Sequence, residues 1–112
     1  MAGKFEISKS KNGKFMFNLK AGNGQVILTS EMYETKASAV QGVESCKKNG
    51  AMDERFEKAT SKSGQPYFNL KASNGQVIGR SEMYASASSM ENGIASVKTN
   101  AASASVKDLT EG

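Results

Sequence analysis

The stretch "FNLKAGNGQVI" at Phe17–Ile27 returns as "FNLKASNGQVI" at Phe68–Ile78, 51 residues further on, with Gly22 against Ser73 as the single change. The match extends outward. Phe5-Glu6 pairs with Phe56-Glu57, Gly13 with Gly64, "SEMY" at Ser30–Tyr33 with "SEMY" at Ser81–Tyr84, and Gly42 with Gly93. About half the positions agree across the unit, so the chain is an internal duplication. Two units are too few for a solenoid, which needs roughly three or more. A unit of about 50 residues is also small for a core of its own. The copies, about residues 4–53 and 54–110, are therefore expected to close on each other as one domain spanning 1–112, a monomer holding an internal pseudo-dimer.

Each copy repeats one pattern. "KFEIS" sets Phe5 and Ile7 against Lys4, Glu6 and Ser8, the period of two of a half-buried strand. "KFMFNLK" places Phe15, Phe17 and Leu19 inward, with Lys14, Met16, Asn18 and Lys20 outward. Asn12-Gly13 between them suits the positive φ of a hairpin turn. "QVILTS" forms a third strand after the Gly22-Asn23-Gly24 turn, and copy two supplies "RFEKA", "PYFNLK" and "QVIGRS". Pro66 opens its strand, where no ladder donor is lost.

The period then changes. Ala87, Met90, Ile94 and Val97 recur every three or four residues, a helical stripe, with a poorer one of Ala39, Val43 and Cys46 in copy one. Thr35 and Ser86 are expected as amino-terminal caps. Asn49-Gly50 and Asn100 are expected to end the helices in a left-handed residue. Gly42 and Gly93, in mid-helix, call for a close approach to the sheet that offsets their poor helix propensity. "SVKDL" at Ser105–Leu109 predicts a last strand, and the segment around Arg55–Lys58 is expected to finish copy one while beginning copy two. The predicted class is α+β, antiparallel strands with helices packed on one face.

Phe5–Ser10, Phe17–Tyr33, Met90–Asn100 and the weaker twin at Ala39–Asn49, in this order and duplicated, resemble the YegP-like family of small bacterial proteins over nearly the whole chain. The resemblance implies a tandem β-β-β-α-β unit building one shared antiparallel sheet, with the carboxy-terminal strands exchanged between repeats. It carries no established activity, so it transfers no catalytic residue.

Composition narrows the function classes. The 112 residues include no His and one Cys, which removes a His-based catalytic triad and any zinc site built on Cys and His. No metal or cofactor is expected. Cys46 aligns with Val97, a slot for a buried apolar filler more than for a reactive thiol. No apolar run approaches the roughly 20 residues of a membrane span, and "MAGKFEISKS" lacks the apolar stretch of a signal peptide, so a cytoplasmic location without membrane contact is expected. The net charge of +4 resides in residues 1–50, where eight Lys face four Glu; the remainder is balanced. Such a surplus serves solubility or attracts an anionic partner.

"AGNGQ" and "ASNGQ" join strand to strand and read as hairpin turns, since a phosphate loop needs a helix amino terminus after the strand. Ser30, Glu31 and Tyr33, with Ser81, Glu82 and Tyr84, can line two symmetric pockets; the alternative is that the tyrosines pack, Met32 and Met83 fill gaps, and the serines bond local backbone. The outward strand face presents Lys14, Asn18, Lys20, Tyr67, Asn69 and Lys71, the candidate binding residues. The leading reading is a non-enzymatic binding or accessory module of unidentified partner. The alternatives are a weak single-stranded nucleic-acid binder using that face, and an enzyme with paired pockets at the "SEMY" elements.

Overall fold

A computed structural model of the chain describes residues 3–102 and 104–110. The antiparallel strands form where period-two patterning meets turn chemistry. β1 (Lys4–Lys9), β2 (Phe15–Lys20) and β3 (Val26–Ser30) meander in repeat one; β4 (Phe56–Thr60), β5 (Pro66–Lys71) and β6 (Val77–Arg80) do so in repeat two. Asn23 and Asn74 tie their turns by accepting from the backbone N–H of Gln25 and Gln76 at 3.0 Å each. In these turns Gly24 and Gly75 take φ of +86°, a conformation that side chains resist.

Helix α1 (Lys36–Asn49) follows β3 and α2 (Ala87–Ala101) follows β6, and β7 (Ser105–Asp108) ends the order. The Thr35 and Ser86 side chains cap them, accepting from the N–H groups of Ser38 and Ser89 at 3.1 Å each. Their carboxy-terminal ends differ from expectation. Gly50 stays right-handed, with φ −64°, and no residue other than glycine has positive φ among those described. Crowding explains this glycine: a Cβ there would stand 2.7 Å from the carbonyl oxygen of Cys46 and 3.0 Å from the Cβ of Ala101, where the ends of the two helices meet. Asn49 and Asn100 remain helical and donate Nδ2–H back to the carbonyls of Ser45 (2.9 Å) and Ser96 (2.7 Å). Ala87, expected in the apolar stripe, is exposed on the first turn of α2; Met90, Ile94, Val97 and Ala101 carry the buried face.

All seven strands form one sheet, ordered β4-β5-β6-β3-β2-β1-β7. The seam between repeats is short: β3 meets β6 antiparallel through Thr29 opposite Arg80 and Ser30 opposite Gly79. Thr29 and Arg80 occupy equivalent positions in the two copies, so the pseudo-twofold axis passes through their pair. The sheet is mixed, because β7 lies parallel to β1 while every other pairing is antiparallel. A 15-residue helix rises about 22 Å, and four strand spacings are about 19 Å. α2 therefore carries the chain from β6 across the other repeat to its far edge. The exchange is one-sided: the residues equivalent to β7, Glu54–Glu57, fall in the turn before β4 and in β4 itself, so the outer edge of β4 has no strand beside it among the described residues.

Both helices pack on one face of the sheet, and each touches strands of both repeats: α1 reaches β1 and β2 but also β5 and β6, and α2 reaches β5 but also β2 and β3. The result is one continuous core in which Phe5, Ile7, Phe17, Leu19 and Leu28 join Phe68, Leu70, Val43 and Val97. Phe5 meets Phe17 edge-on at 5.8 Å, and Phe56 meets Phe68 in the same way at 5.4 Å. The radius of gyration, 13.3 Å, is that of a single folded body of this length. Cys46 lies wholly inside, and burial pushes its thiol up to about 12, which leaves it an apolar filler.

On the axis the copies cannot be identical. Leu28 fills the space that a side chain at its twin position, Gly79, would need: a Cβ on Gly79 would sit 2.8 Å from the carbonyl of Thr29 and 3.1 Å from Leu28. Gly79→Leu is expected to cost about 1–3 kcal/mol through overpacking, read from urea denaturation, and the swap Leu28→Gly/Gly79→Leu to recover part of that loss. Equal losses in the single and swapped variants would show that the two positions do not share one space.

β7 is anchored from outside the ladder. Asp108 pairs with Lys36 of α1 and accepts from the N–H of Thr110 at 2.8 Å. The Lys36 ammonium first, and then Thr110, hold its carboxyl down at about 2. A carboxyl lowered in the fold contributes stability above its ordinary pKa of about 3.9, and that contribution disappears as pH falls toward 2. Protection of the Ser105–Asp108 amides, taken relative to their intrinsic exchange rates at each pH, is therefore expected to fall between about pH 4 and 2, ahead of the core, and Asp108→Asn to abolish that difference. Exchange of β7 in step with the core through this window would show that the anchor does not hold it.

Candidate functional site

The helix-free face of the sheet carries the residues marked by the sequence, in two related clusters. In repeat one, Glu6 accepts from Lys20 at 2.9 Å and from Lys4 at 3.3 Å; the Lys20 ammonium, more than Lys4, holds its carboxyl below the usual range against the opposing effect of burial. In repeat two, Lys71 donates to Glu57 at 2.8 Å and Asn69 donates to the same carboxylate at 3.3 Å, lowering its pKa in that order of weight. Arg80 donates Nε–H to Asn69 Oδ1 at 3.3 Å and lays its guanidinium 5.4 Å from the centre of the Tyr67 ring. Asn69 is only 7% exposed, so this polar chain is ordered on a surface. Repeat one lacks it, with Thr29 and Met16 in the places of Arg80 and Tyr67.

Thus Tyr67, Asn69 and Lys71 come together, and Lys20 stands beside Glu6. Asn18 pairs with Thr29 across the β2–β3 ladder. Lys14 precedes β2 and turns to Glu34, 3.2 Å away. Arg80 and the two glutamates were missed because charge was counted residue by residue. The signal lay in the alternation: Glu6 and Glu57 share the outward parity of the lysines, and the antiparallel register brings them opposite Asn18 and Asn69.

The "SEMY" elements sit on the other side of the seam. Ser30 Oγ accepts from the Phe17 N–H at 2.8 Å and donates to the Glu31 carbonyl at 2.8 Å. Ser81 does the same with Phe68 (3.0 Å) and Glu82 (2.8 Å). Each hydroxyl takes a buried donor where the strand leaves the ladder. Tyr33 is fixed by paired backbone bonds to Phe15, 2.7 Å each, and its ring stacks on Phe17 at 6.3 Å. Tyr84 stacks on Phe68 at 6.4 Å, with one backbone bond to Pro66, which has no N–H to return. The hydroxyls of these tyrosines lie where Gly42 and Gly93 would carry a Cβ, at 2.4 and 2.2 Å, so a tyrosine, more than the sheet backbone, requires each glycine. Burial, and next Glu31 or Glu82, raises both phenols and keeps them protonated. Met32 and Met83 are about half exposed and fill no gap.

These elements line a cleft of 380 Å³ on the seam itself, where Glu31 and Glu82 stand with Arg80, and two related clefts beside it, each shared between repeats. The first, 570 Å³, is bounded by Glu31, Tyr33 and α1 on one side and by Gln76, Val77 and Ile78 of the other repeat. The second, 460 Å³, sets Glu82 and Tyr84 against Gln25, Val26 and Ile27, and reaches Asn18. Register shifts in both repeats put Ile27 and Ile78 out of the ladder, bulges that turn them into the clefts. Both Glu31 and Glu82 are exposed. Among the described residues no group of three or more His, Cys, Asp or Glu can hold a metal ion, and no helix is long and apolar enough to cross a membrane.

Ser30→Ala leaves the Phe17 N–H buried without its acceptor, as Ser81→Ala does for Phe68; each is expected to cost about 1–3 kcal/mol in urea unfolding with unchanged m. Losses within a few tenths of a kcal/mol would deny the hydroxyls this role.

A profile described as "Domain of unknown function (DUF1508)" matches residues 10–57 and again 61–108. The UPF0339 protein YegP of Escherichia coli strain K12 is 57% identical over 110 residues, 98% of this chain and 100% of that one. The solution structure of yegP from E. coli, a protein of unknown function, superposes with a TM-score of 0.94 at 56% identity, covering 100% of this chain and 97% of that one. That of a UPF0339 protein from Shewanella oneidensis gives 0.92 at 51% identity, covering 98% and 93%. With two matching repeats and likeness along its length, this chain belongs to the YegP-like UPF0339 family of bacterial proteins, built from tandem DUF1508 units and of unknown function.

Proposed function

We propose that this protein is a non-catalytic binding module that engages its partner through the helix-free face of the sheet. One observation carries the reading: Tyr67, Arg80, Asn69 and Glu57 form a preorganised polar chain on that face, with the Arg80 guanidinium over the aromatic ring. Ordered donors and acceptors beside an aromatic surface recognise a partner by direction at small entropic cost. The chain has no histidine, and the Glu31 and Glu82 carboxylates are solvated, which supports binding over acid/base chemistry.

The pairing of Lys20 with Glu6 and of Lys71 with Glu57 favours a partner of mixed charge over a polyanion. A nucleic-acid backbone would have to compete with both carboxylates for the same ammonium groups. The test is affinity capture from a bacterial extract with the wild type, with Tyr67→Ala/Arg80→Ala, and with the helix-side control Glu91→Gln. Partners captured by the wild type and the control are expected to be lost from the double variant at unchanged melting temperature; an unchanged set rejects this face. Titration with oligo-dT is expected to show no steep salt response. A loss of tenfold or more between about 50 and 200 mM salt would instead mark single-stranded nucleic acid as the ligand.

A further inference from the structure

The cleft at Tyr33 does not end at its own walls. Ser45 of α1 and Ala72 of the β5–β6 turn line it and also line a second cleft of 380 Å³, which runs on to Lys48 and Arg55. Together they make one groove between α1 and the β5–β6 hairpin, with Glu31 at one end and two cationic side chains at the other. Glu31 and Lys48 are exposed and have no ion-pair partner among the described residues. Arg55 gives its Nε–H to Asn49 Oδ1 at 2.9 Å, which orients the guanidinium without a carboxylate. Glu44, the acidic residue at the basic end, turns to Lys47 at 3.9 Å. Between the ends, Val77, Ile78 and Ala72 provide an apolar floor, and Ser38, Gln41 and Ser45 provide polar groups along the helix wall.

From this polarity we infer that the groove binds a short linear zwitterion, a free peptide of about four residues, with its ammonium at Glu31 and its carboxylate at Lys48 and Arg55. Along the helix wall, Ser38 to Lys48 rise about 15 Å, and four extended residues reach about 14 Å. The hydroxyl and amide side chains of the wall suit backbone N–H and C=O groups, and the floor suits small apolar side chains. The twin cleft is an internal control. It keeps Glu82 and Tyr84, but the positions equivalent to Lys48 and Arg55 are Thr99 and Val106, so it offers an anionic end and no cationic one.

The experiment is amide chemical-shift titration of the full chain with tetra-alanine carrying free termini, an acetylated amino terminus, an amidated carboxy terminus, or both caps. The free peptide is expected to give saturable shifts at Ser38–Ser45 and Ala72–Ile78 with Kd at or below about 1 mM. Each cap is expected to weaken binding at least tenfold. Glu31→Gln should remove the penalty for acetylation, and Lys48→Thr/Arg55→Gln the penalty for amidation. These side chains are wholly or partly exposed, and Thr is what the twin carries at the position of Lys48, so the variants are expected to fold; superposable spectra away from the groove check this. Capped and free peptides binding alike, equal shifts at the twin cleft, or no saturation by about 10 mM would each overturn the inference.

Discussion

The structure depends on one constraint: a three-stranded meander with a single helix cannot cover its own apolar face. Three strands of either repeat present Phe, Leu and Ile to one side, more than one helix stripe of five or six buried residues can cover. The sheet seam itself is slight, two residue pairs between β3 and β6. The helices close the body, since each lies over strands of both halves. Hydrophobic burial at about 25 cal/mol per Å² is thus obtained jointly or not at all, and a unit of about 50 residues gains a core of a size that its own length could not supply.

Covalent duplication then lets the halves diverge wherever symmetry is a handicap. At the axis two leucines cannot share one space, and the chain resolves this with Leu28 against Gly79. At the two edges the situations differ. Ile7 is covered on the edge that β7 closes, whereas its twin Lys58, on the bare edge of β4, reaches to Glu91 of α2 at 2.5 Å. A charge turned toward the core side of an exposed edge strand hinders another strand from adding there. Asp108 finds Lys36 beside β7, while the twin of Lys36 is Ala87. Each of these differences suits a molecule with one exchanged strand in place of two.

What the sequence disclosed followed from period and turn chemistry. Phe5/Ile7 and Phe15/Phe17/Leu19 alternate as half-buried strands must, and Thr35 and Ser86 stand where helices need an acceptor; these are local rules, and they held. The features that escaped depend on residues far apart in the chain. Gly50 is crowded by Ala101 of the other helix as well as by the Cys46 carbonyl of its own, and local capping rules read the same letter as a left-handed terminator. The direction of β7 depends on how far α2 travels over the other repeat. Of the candidate surface, the lysines were legible from parity, but their neutralisation by Glu6 and Glu57 needed the strand register, and the stacking of Arg80 on Tyr67 needed two strands side by side.

The duplication also sorts residues by what they do. At several positions where both copies agree, the structure shows an architectural reason: Ser30 and Ser81 satisfy a buried N–H, and Gly42 and Gly93 admit a tyrosine hydroxyl. Two identical letters under two equivalent constraints need no ligand to explain them. Where the copies differ at exposed positions, the fold offers no such account. Arg80 and Tyr67 against Thr29 and Met16, and Lys48 against Thr99, leave the core untouched and change what the surface presents. Recognition chemistry in a pseudo-symmetric protein is therefore to be sought first where the twins disagree, and here those disagreements gather on the helix-free face beside the seam and at the basic end of the α1 groove.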